Sequence, residues 1–357
     1  MIRTFVPYFG EEEIASVGEL LRNPDIFGTA VKRFEDDLAR YQRVPWVETA
    51  ANATLGYMMI LMHCGLKPGD EVIIPDYTFI SAANVLELMG ITPVFADISL
   101  ETYCLDVHSV ERHITPKTKA VVYVSSFGYI ADFEVLESLC REKGLILIHD
   151  AASAFGTVYR GRTLAQLGDY VLFSFQYKKN LSSFEGGAVT GRDGRDYFSA
   201  IKNHGKIHDF DIPGFNFRLS DIHAAIGIEQ LKKIDGHIAR RQELFRRYES
   251  ELKGMPTVYF PREEADIHYA YQEFVALFDR KEELTVYLKN EGIETVEPAM
   301  LIHQKKHYSD KYLLNDSAFP NSTTMQTKAL GLPLYPQLSN DSVDRICTVI
   351  KRFYGVR

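Results

Sequence analysis

Short apolar runs alternate along the chain with segments in which apolar residues recur at helical spacing. The apolar runs predict buried strands at 46–49, 71–74, 93–96, 120–124, 145–149 and 170–175. Helical spacing predicts helices at 11–21, 31–41, 55–64, 81–89 and 133–143, the first two joined through Asn23 and Pro24. Continuously apolar strands that alternate with helices indicate a mainly parallel sheet covered on both faces. The pattern therefore predicts an α/β protein.

A long helical stretch at 221–253 follows this region. Its first half is apolar and its second half is charged, which suits a helix that leads from one domain into another. Beyond it, the pattern predicts a strand at 271–278, a helix at 282–291, a strand at 293–296, a loop at 303–313 and a final helix at 341–353. We therefore expect a large domain at 1–245 and a small C-terminal α/β domain at 246–357.

Composition narrows the class of protein. The 357 residues are 46% hydrophobic and 25% charged, as in an ordinary globular enzyme, and the formal net charge of −8 argues against a general nucleic-acid binder. The four cysteines form no C-x-x-C pair, so neither a metal site nor a disulfide framework is indicated. The N-terminus turns acidic where a signal peptide would be apolar, and no apolar run is long enough to span a membrane. We expect a reduced, cytoplasmic protein without a membrane partner.

Polar residues that could take part in catalysis follow two of the predicted strands. Asp150 follows the strand at 145–149, and Lys178 and Lys179 follow the strand at 170–175. A lysine amine in partly apolar surroundings loses its proton more easily and becomes a nucleophile toward aldehydes. A buried aspartate can hold the proton on the ring nitrogen of a pyridoxal cofactor. On these residues alone, Asp150 could equally cap the next helix, and both lysines could be solvated surface charges.

Other stretches offer groups for a planar, phosphate-bearing ligand. The turn Asn52-Ala53-Thr54 opens a helix, whose free N–H groups and positive dipole end attract phosphate, and Ser174 at a strand end could add a hydroxyl. On this stretch alone, Asn52 or Thr54 could equally act only as the N-cap of the helix. Phe79 follows another strand and could stack on a ring, although such a residue is more often part of the core. The Arg218 guanidinium could either bind an anionic ligand or form a structural ion pair within the protein.

Taken in order, these stretches resemble the DegT–DnrJ–StrS family of pyridoxal-phosphate-dependent sugar aminotransferases. The matching residues are Phe34-Glu35, Pro68-Gly69-Asp70-Glu71-Val72, Pro93-Val94-Phe95-Ala96-Asp97, Thr102-Tyr103, Leu105-Asp106, Gly128, Ala131-Asp132, Asp150-Ala151-Ala152, Ser174-Phe175, Lys179, Glu185-Gly186-Gly187, Asn203-His204-Gly205, Asn216, Arg218-Leu219-Ser220-Asp221, Gly292-Ile293-Glu294-Thr295, His303-Gln304 and Leu332-Pro333. The resemblance implies the aspartate aminotransferase type of fold (fold type I), with a mainly parallel, seven-stranded sheet in the large domain. The loop at 292–308 is most similar to the perosamine or viosamine type of 4-aminotransferase.

The resemblance also implies how the cofactor is attached. Lys179, and not Lys178, would form the Schiff base with pyridoxal 5′-phosphate. Asp150 would pair with the pyridine nitrogen, and Phe79 would stack on the ring. Ser153 stands where the family usually carries Gln, His or Glu near the phenolic oxygen, and this shorter side chain would need a water to make the same contact.

The phosphate site is implied in the same way. Ala53, Thr54 and Ser174 would hold the phosphate, and Asn216 of the neighbouring subunit would complete the site, which makes a homodimer part of the interpretation. Ala53 stands where the family usually has glycine. An alanine fits there unless the backbone requires a positive φ.

The reaction implied is the transfer of the amino group of L-glutamate, through the pyridoxamine 5′-phosphate form, to a keto group of a nucleotide-linked keto-deoxy sugar. The aminated carbon (C3 or C4) and the carrier (dTDP, UDP, GDP or none) stay open. His303, Lys305 and Arg218 are the candidates for substrate contacts, as is Lys306. A pyridoxal-dependent sugar dehydratase and a catalytically idle regulatory homologue are the alternatives; a lysine where the dehydrating members have histidine favours transfer.

Overall fold

The computed structural model describes residues 1–23, 28–206, 210 and 212–356. Pro24, in the predicted junction of the first two helices, lies outside these residues. The helices are α1 Glu11–Arg22, α2 Thr29–Tyr41, α3 Ala53–His63, α4 Ser81–Leu88, α5 Val107–His113, α6 Phe133–Lys143, α7 Arg195–Ile201, α8 Asp221–Leu252, α9 Lys281–Asn290, α10 Lys306–Tyr312, α11 Pro320–Lys328 and α12 Asn340–Phe353. Among the described residues, no helix combines the length and apolar character needed to cross a bilayer.

The strands of the described chain form one large sheet and three small ones. They are β1 Glu48–Ala50, β2 Glu71–Pro75, β3 Tyr77–Thr78, β4 Thr92–Ala96, β5 Thr118–Val124, β6 Ile146–Asp150, β7 Val158–Tyr159, β8 Arg162–Thr163, β9 Tyr170–Ser174, β10 Gly187–Gly191, β11 Val258–Tyr259, β12 Ile267–His268, β13 Phe274–Phe278, β14 Met300–Leu301 and β15 Ala329–Leu332. The large sheet has seven strands in the order β1-β10-β9-β6-β5-β2-β4. Its neighbours pair in parallel from β9 to β4, and β10 is antiparallel to both β1 and β9.

Both faces of the large sheet are buried, as the continuous apolar runs predict. Successive residues of a strand point to opposite faces, so one strand contributes to two cores. Val121 packs in the core on one face, and its neighbour Val122 packs in the core on the other. Leu147 and Ile148 of β6 divide in the same way. The predicted α/β class and the mainly parallel, seven-stranded sheet are confirmed.

Helix α8 connects the large sheet region to the C-terminal part. Its start is capped by Ser220, whose hydroxyl accepts a hydrogen bond from the His223 N–H. Near this start, Gln230 donates to Glu13 of α1, and nearer its end Arg247 pairs with Asp344 of α12. The C-terminal part contains a small antiparallel sheet in the order β11-β13-β15. The boundary predicted after residue 245 falls inside this continuous helix.

Two predictions in the C-terminal part were wrong. No strand forms at 293–296, because Ile293 and Val296 make single bridges to two different partners, Ile2 and Gly331, and so never extend into a ladder. The loop predicted at 303–313 instead contains helix α10. The many polar side chains of this segment led to the prediction of a loop. The helix packs against the core through Tyr308, which is buried.

Candidate active site

Neighbouring strand ends bring the predicted residues to one edge of the sheet. Asp150 is the last residue of β6 and Ser174 the last of β9, and the two strands pair in parallel with Asp150 opposite Leu172. Lys179 follows β9 in a tight turn, in which its N–H donates to the Gln176 carbonyl at 2.8 Å. In parallel sheets, ligands bind beyond such carboxyl ends.

The two lysines of this turn differ in their surroundings. Lys179 is partly buried and donates from Nζ to Ser153 Oγ at 3.1 Å. Burial lowers the pKa of the Lys179 amine, while the carboxylates of Asp150 and Glu273 act in the opposite direction. Lys178 is exposed and lies with its Nζ 5.8 Å from the ring centre of Tyr177. Only Lys179 therefore has the desolvated amine that the chemistry of a nucleophilic lysine requires.

Asp150 is a buried acceptor that receives two hydrogen bonds. The Tyr57 hydroxyl donates to Oδ2, and the Ala152 N–H donates to Oδ1 at 2.9 Å. Burial raises the pKa of the Asp150 carboxyl, and these donors and the charge of Lys179 oppose that rise. The two donors fix the orientation of the Asp150 carboxylate. Because a buried negative charge is costly by itself, a cationic partner would stabilise it.

Sequence reasoning missed Tyr57. It lies on α3, three residues after Thr54, so both side chains are on the same side of the helix. That spacing was visible in the sequence, but the apolar run at 55–64 made Tyr57 resemble an ordinary core residue. Its bond to Asp150 joins α3 to the end of β6, which ties the start of this helix to the carboxylate.

The residues predicted to bind phosphate lie at the N-terminus of α3. The Asn52 side chain accepts a hydrogen bond from the Leu55 N–H at 2.9 Å, and Ala53 and Thr54 are the first helical residues. Ala53 lies in ordinary helical backbone and is absent from the positive-φ positions, so alanine fits where the family usually has glycine. The N–H groups of the first turn and the helix dipole together favour a phosphate here.

Gly187 holds β10 against this helix start. It pairs with Ala50 on one side and with Ser174 on the other. A Cβ atom at Gly187 would lie 2.5 Å from the Ala53 nitrogen and 2.6 Å from the Asn52 carbonyl carbon. The absent side chain thus allows Ser174 and the start of α3 to lie close together. The sequence did not reveal this role of the glycine.

Replacing Gly187 with alanine is expected to destabilise the cofactor-free protein by about 1–3 kcal/mol, because the contacted atoms are backbone and cannot rotate away. Chemical denaturation measures the change in the free energy of unfolding. Gly236→Ala is the matched control, because a Cβ at this position on α8 meets nothing within 4 Å, and alanine there should stabilise the helix. Equal stability of the Gly187→Ala variant and the wild type would contradict the tight approach.

The aromatic position Phe79 is exposed rather than part of the core. Its side chain is 66% exposed, directly after β3, which pairs with β14 through Tyr77 and Leu301. A large apolar ring in this position loses unfavourable contact with water when a planar ligand covers it. The stacking role itself stays a prediction.

The segment that carries Asn216 and Arg218 lies beside the start of α3. The Phe217 carbonyl accepts a hydrogen bond from the Ala51 N–H at 2.7 Å, while the Asn216 side chain is exposed. Arg218 is also exposed, and its Nη1 donates to Asn203 Oδ1 at 2.6 Å. Arg218 therefore has a structural partner within its own chain, whereas Asn216 points to the surface.

His303 has a structural environment, which does not support the predicted substrate contact. The side chain is 1% exposed, with Nδ1 2.6 Å from Asp76 Oδ2 and Nε2 2.8 Å from Asp316 Oδ1. Both ring nitrogens are occupied, and the pair of carboxylates raises the pKa of the imidazole against the effect of its burial. Lys305 and Lys306 are exposed at the start of α10, and among the described residues neither ammonium has a carboxylate partner.

The fold, in which Lys179 and Asp150 follow neighbouring strands of a mainly parallel, seven-stranded sheet, defines a class of protein, the fold type I enzymes that depend on pyridoxal phosphate. The chain matches the DegT/DnrJ/EryC1/StrS aminotransferase family over residues 7–351 and belongs to it. The predicted family and enzyme class are confirmed, and so is pyridoxal phosphate, on which this family depends.

Individual relatives agree with this assignment. The GDP-perosamine synthase of Escherichia coli O157:H7 is 32% identical over 338 residues, which cover 92% of this chain and 91% of that protein. The spore coat polysaccharide biosynthesis protein SpsC of Bacillus subtilis is 31% identical over 370 residues, with 97% and 95% covered. The crystal structure of S. venezuelae DesV in complex with a ketimine intermediate has a TM-score of 0.92 at 28% identity and covers 96% of this chain and 94% of that one.

Proposed function

We propose that the protein transfers the amino group of L-glutamate to the keto group of a nucleotide-linked keto-deoxy sugar. The single observation that carries the proposal is that the desolvated amine of Lys179, in the turn after β9, and the buried carboxylate of Asp150, at the end of the neighbouring strand β6, lie at the same edge of the sheet. The similarity to GDP-perosamine synthases makes a GDP-linked sugar aminated at C4 the first candidate.

The residues present fit pyridoxal phosphate. At Gly187 a Cβ would overlap the backbone of Asn52 and Ala53, so the glycine allows Ser174 and the first turn of α3 to lie close together, where Ala53, Thr54 and Ser174 would hold the phosphate. Asp150 would face the ring nitrogen, and the exposed ring of Phe79 would cover one face of the pyridine. When bound, the cofactor supplies the aldehyde that takes up nitrogen and a ring that delocalises electrons.

Lys179 would hold the cofactor covalently and then act as the base. Released by an incoming amino acid, its amine would take the proton from the donor Cα and deliver it to the C4′ carbon of the cofactor. A lowered pKa keeps more of this amine neutral near pH 7 than in an exposed lysine, and a neutral amine is required both to attack an aldehyde and to accept a proton. Ser153, which accepts from Lys179 Nζ, orients that amine.

Asp150 would hold a proton on the ring nitrogen. The Tyr57 hydroxyl and the Ala152 N–H occupy part of the acceptor capacity of the carboxylate and fix its direction. A carboxylate has further lone pairs available, so it can accept from a protonated nitrogen at the same time. A negative charge in this buried position favours the protonated ring over the neutral one.

A homodimer with shared active sites is part of the proposal. Asn216 is exposed on a segment whose Phe217 carbonyl bonds to Ala51, next to the phosphate seat. An interface formed by this segment would lie beside the cofactor site, so Asn216 could reach the partner's phosphate. The exposed ring of Phe215, stacked on Phe217 at 4.9 Å, adds apolar surface suited to burial in such an interface.

For the sugar nucleotide, Lys305 and Lys306 are better candidates than His303. Their ammonium groups are exposed and lack ion-pair partners within the described chain, while both nitrogens of His303 are engaged. Cations of this kind suit a diphosphate. The cytoplasmic location stays a prediction.

The reaction is tested with nitrogen-labelled L-glutamate and a panel of GDP-, dTDP- and UDP-linked 3-keto and 4-keto deoxy sugars. We expect the label to appear in one sugar product by mass spectrometry, with the GDP-linked 4-keto sugar reacting fastest. A sugar product without nitrogen would indicate the dehydratase instead. No reaction of the bound cofactor with glutamate or any other amino acid would reject the aminotransferase.

A further inference from the structure

A second carboxylate, that of Glu273, belongs to a segment that is tied to the Lys179 turn, and it has no assigned role. Among the described residues, its buried Oε2 atom has no hydrogen-bond partner, while Oε1 accepts only a long hydrogen bond of 3.4 Å from its neighbour Gln272. A buried charged oxygen without a partner is costly, so such an atom calls for a functional explanation.

The backbone holds Glu273 at the edge of the site. Asn180, the residue after Lys179, donates from Nδ2 to the Ala270 carbonyl at 2.7 Å. The Gln272 N–H donates to the Phe127 carbonyl at 3.0 Å, and Arg241 donates to the Gln272 carbonyl at 2.9 Å. The segment before β13 is thus tied directly to the turn that carries Lys179.

Glu273 Oε2 lies beside β15. A Cβ at Gly331 of β15 would stand 3.7 Å from Glu273 Oε2, which is an ordinary contact distance, and Gly331 lies next to the residue that pairs with Phe274. Burial raises the pKa of the Glu273 carboxyl, and the charges of Lys179, Lys178 and Arg241 oppose that rise. Arg241 bonds to the Gln272 and Leu334 carbonyls, leaving the Glu273 oxygen without a direct partner among the described residues.

The charges acting on Lys179 come from three residues. Asp150 and Glu273 favour its ammonium form, and Lys178 opposes it. In the proposed reaction Asp150 is paired with the cofactor ring, which leaves Glu273 as the carboxylate available to a released and protonated Lys179.

We propose that Glu273 is a positioning residue for the transfer step, whose buried carboxylate stabilises the ammonium that Lys179 becomes between taking and returning the proton. The proton would move from the donor Cα to Lys179 Nζ and then to the C4′ carbon of the cofactor. Glu273 would neither gain nor lose a proton. This inference rests on the proposed function for its meaning, although the charge coupling itself can be measured without catalysis.

The test is the reactivity of Lys179 in the full-length chain freed of cofactor. Formaldehyde with cyanoborohydride at pH 7 labels neutral amines, and tandem mass spectrometry quantifies Lys179 separately from Lys178, with exposed Lys119 as the internal reference. We expect Glu273→Gln to label Lys179 about tenfold faster, because loss of the negative charge increases its neutral fraction. Glu282→Gln, an exposed acid on α9, is the matched control and should leave the rate unchanged.

A second neutral variant, Glu273→Ser, serves if the glutamine variant does not fold, as judged by circular dichroism and the thermal midpoint. An unchanged Lys179 labelling rate in a folded neutral variant overturns the proposal. An unchanged rate together with weaker sugar binding would instead make Glu273 a substrate contact, which also overturns it.

The loaded enzyme gives a separate readout. In Glu273→Gln, the pH profile of the reaction with glutamate should shift to lower pH, while the glutamate concentration at half-maximal rate stays the same. A wild-type protein that does not react with glutamate would reject the proposed function, whereas the labelling result would still decide whether Glu273 controls Lys179.

Discussion

Replacing Lys179 with alanine is expected to abolish the covalent attachment of pyridoxal phosphate and to lower the rate of amino transfer by about 10⁴-fold. The loss of attachment and the loss of rate have the same cause, the removal of the Lys179 amine. This amine is desolvated, and its Nζ donates a hydrogen bond to Ser153. A positioned general base contributes about 10²–10⁴-fold, and the loss of covalent attachment adds to this. A 10⁴-fold loss corresponds to about 5.5 kcal/mol of barrier.

The attachment is measured by the absorbance band of the bound cofactor, its bleaching by borohydride and the mass of the linked peptide. The matched control is Lys178→Ala, which removes the adjacent, exposed amine and should keep the link. Loss of the link in Lys178→Ala and its retention in Lys179→Ala would show that the assignment of the two lysines is reversed.

Asp150→Asn is expected to slow the reaction with glutamate by roughly 10³-fold, about 4 kcal/mol, while the cofactor stays covalently bound. An amide has nearly the shape of the carboxylate but no negative charge, so the ring nitrogen loses the partner that keeps it protonated. The amide oxygen of the introduced side chain can replace only one of the two acceptors, those for Tyr57 and for the Ala152 N–H, so we expect a lower thermal midpoint but a retained fold.

Stopped-flow absorbance gives the rate of the half-reaction, and a thermal melt checks the fold of the Asp150→Asn variant. Tyr57→Phe is the companion variant, because it removes one donor to Asp150 and leaves the charge in place. We expect it to slow the same step about tenfold. A half-reaction in Asp150→Asn as fast as in the wild type would remove Asp150 from the mechanism.

The local pattern of the chain was sufficient for the architecture of the large sheet. Apolar runs such as 120–124 and 145–149 were predicted as strands and lie in β5 and β6, because strands buried on both faces need apolar side chains at every position. The strand predicted at 293–296 failed because a strand requires a partner ladder, which no local run of residues can specify.

By itself, the sequence determined the two strands that lead into the site to within about one residue, the position of Asp150 and Lys179 at or soon after them, and the family to which the motifs belong. These features are local, since the carboxyl ends of parallel strands meet at one edge whatever surrounds them. Only the tertiary structure decided which groups act on them. Tyr57 comes from a helix, Gly187 from an antiparallel strand and Glu273 from the C-terminal part. The ring of His303 lies between Asp316 of its own region and Asp76, which is far from it in the chain. The pKa and reactivity of a side chain depend on which groups lie near it in space. These neighbours come from distant parts of the chain, and the spacing of residues in the sequence does not specify them.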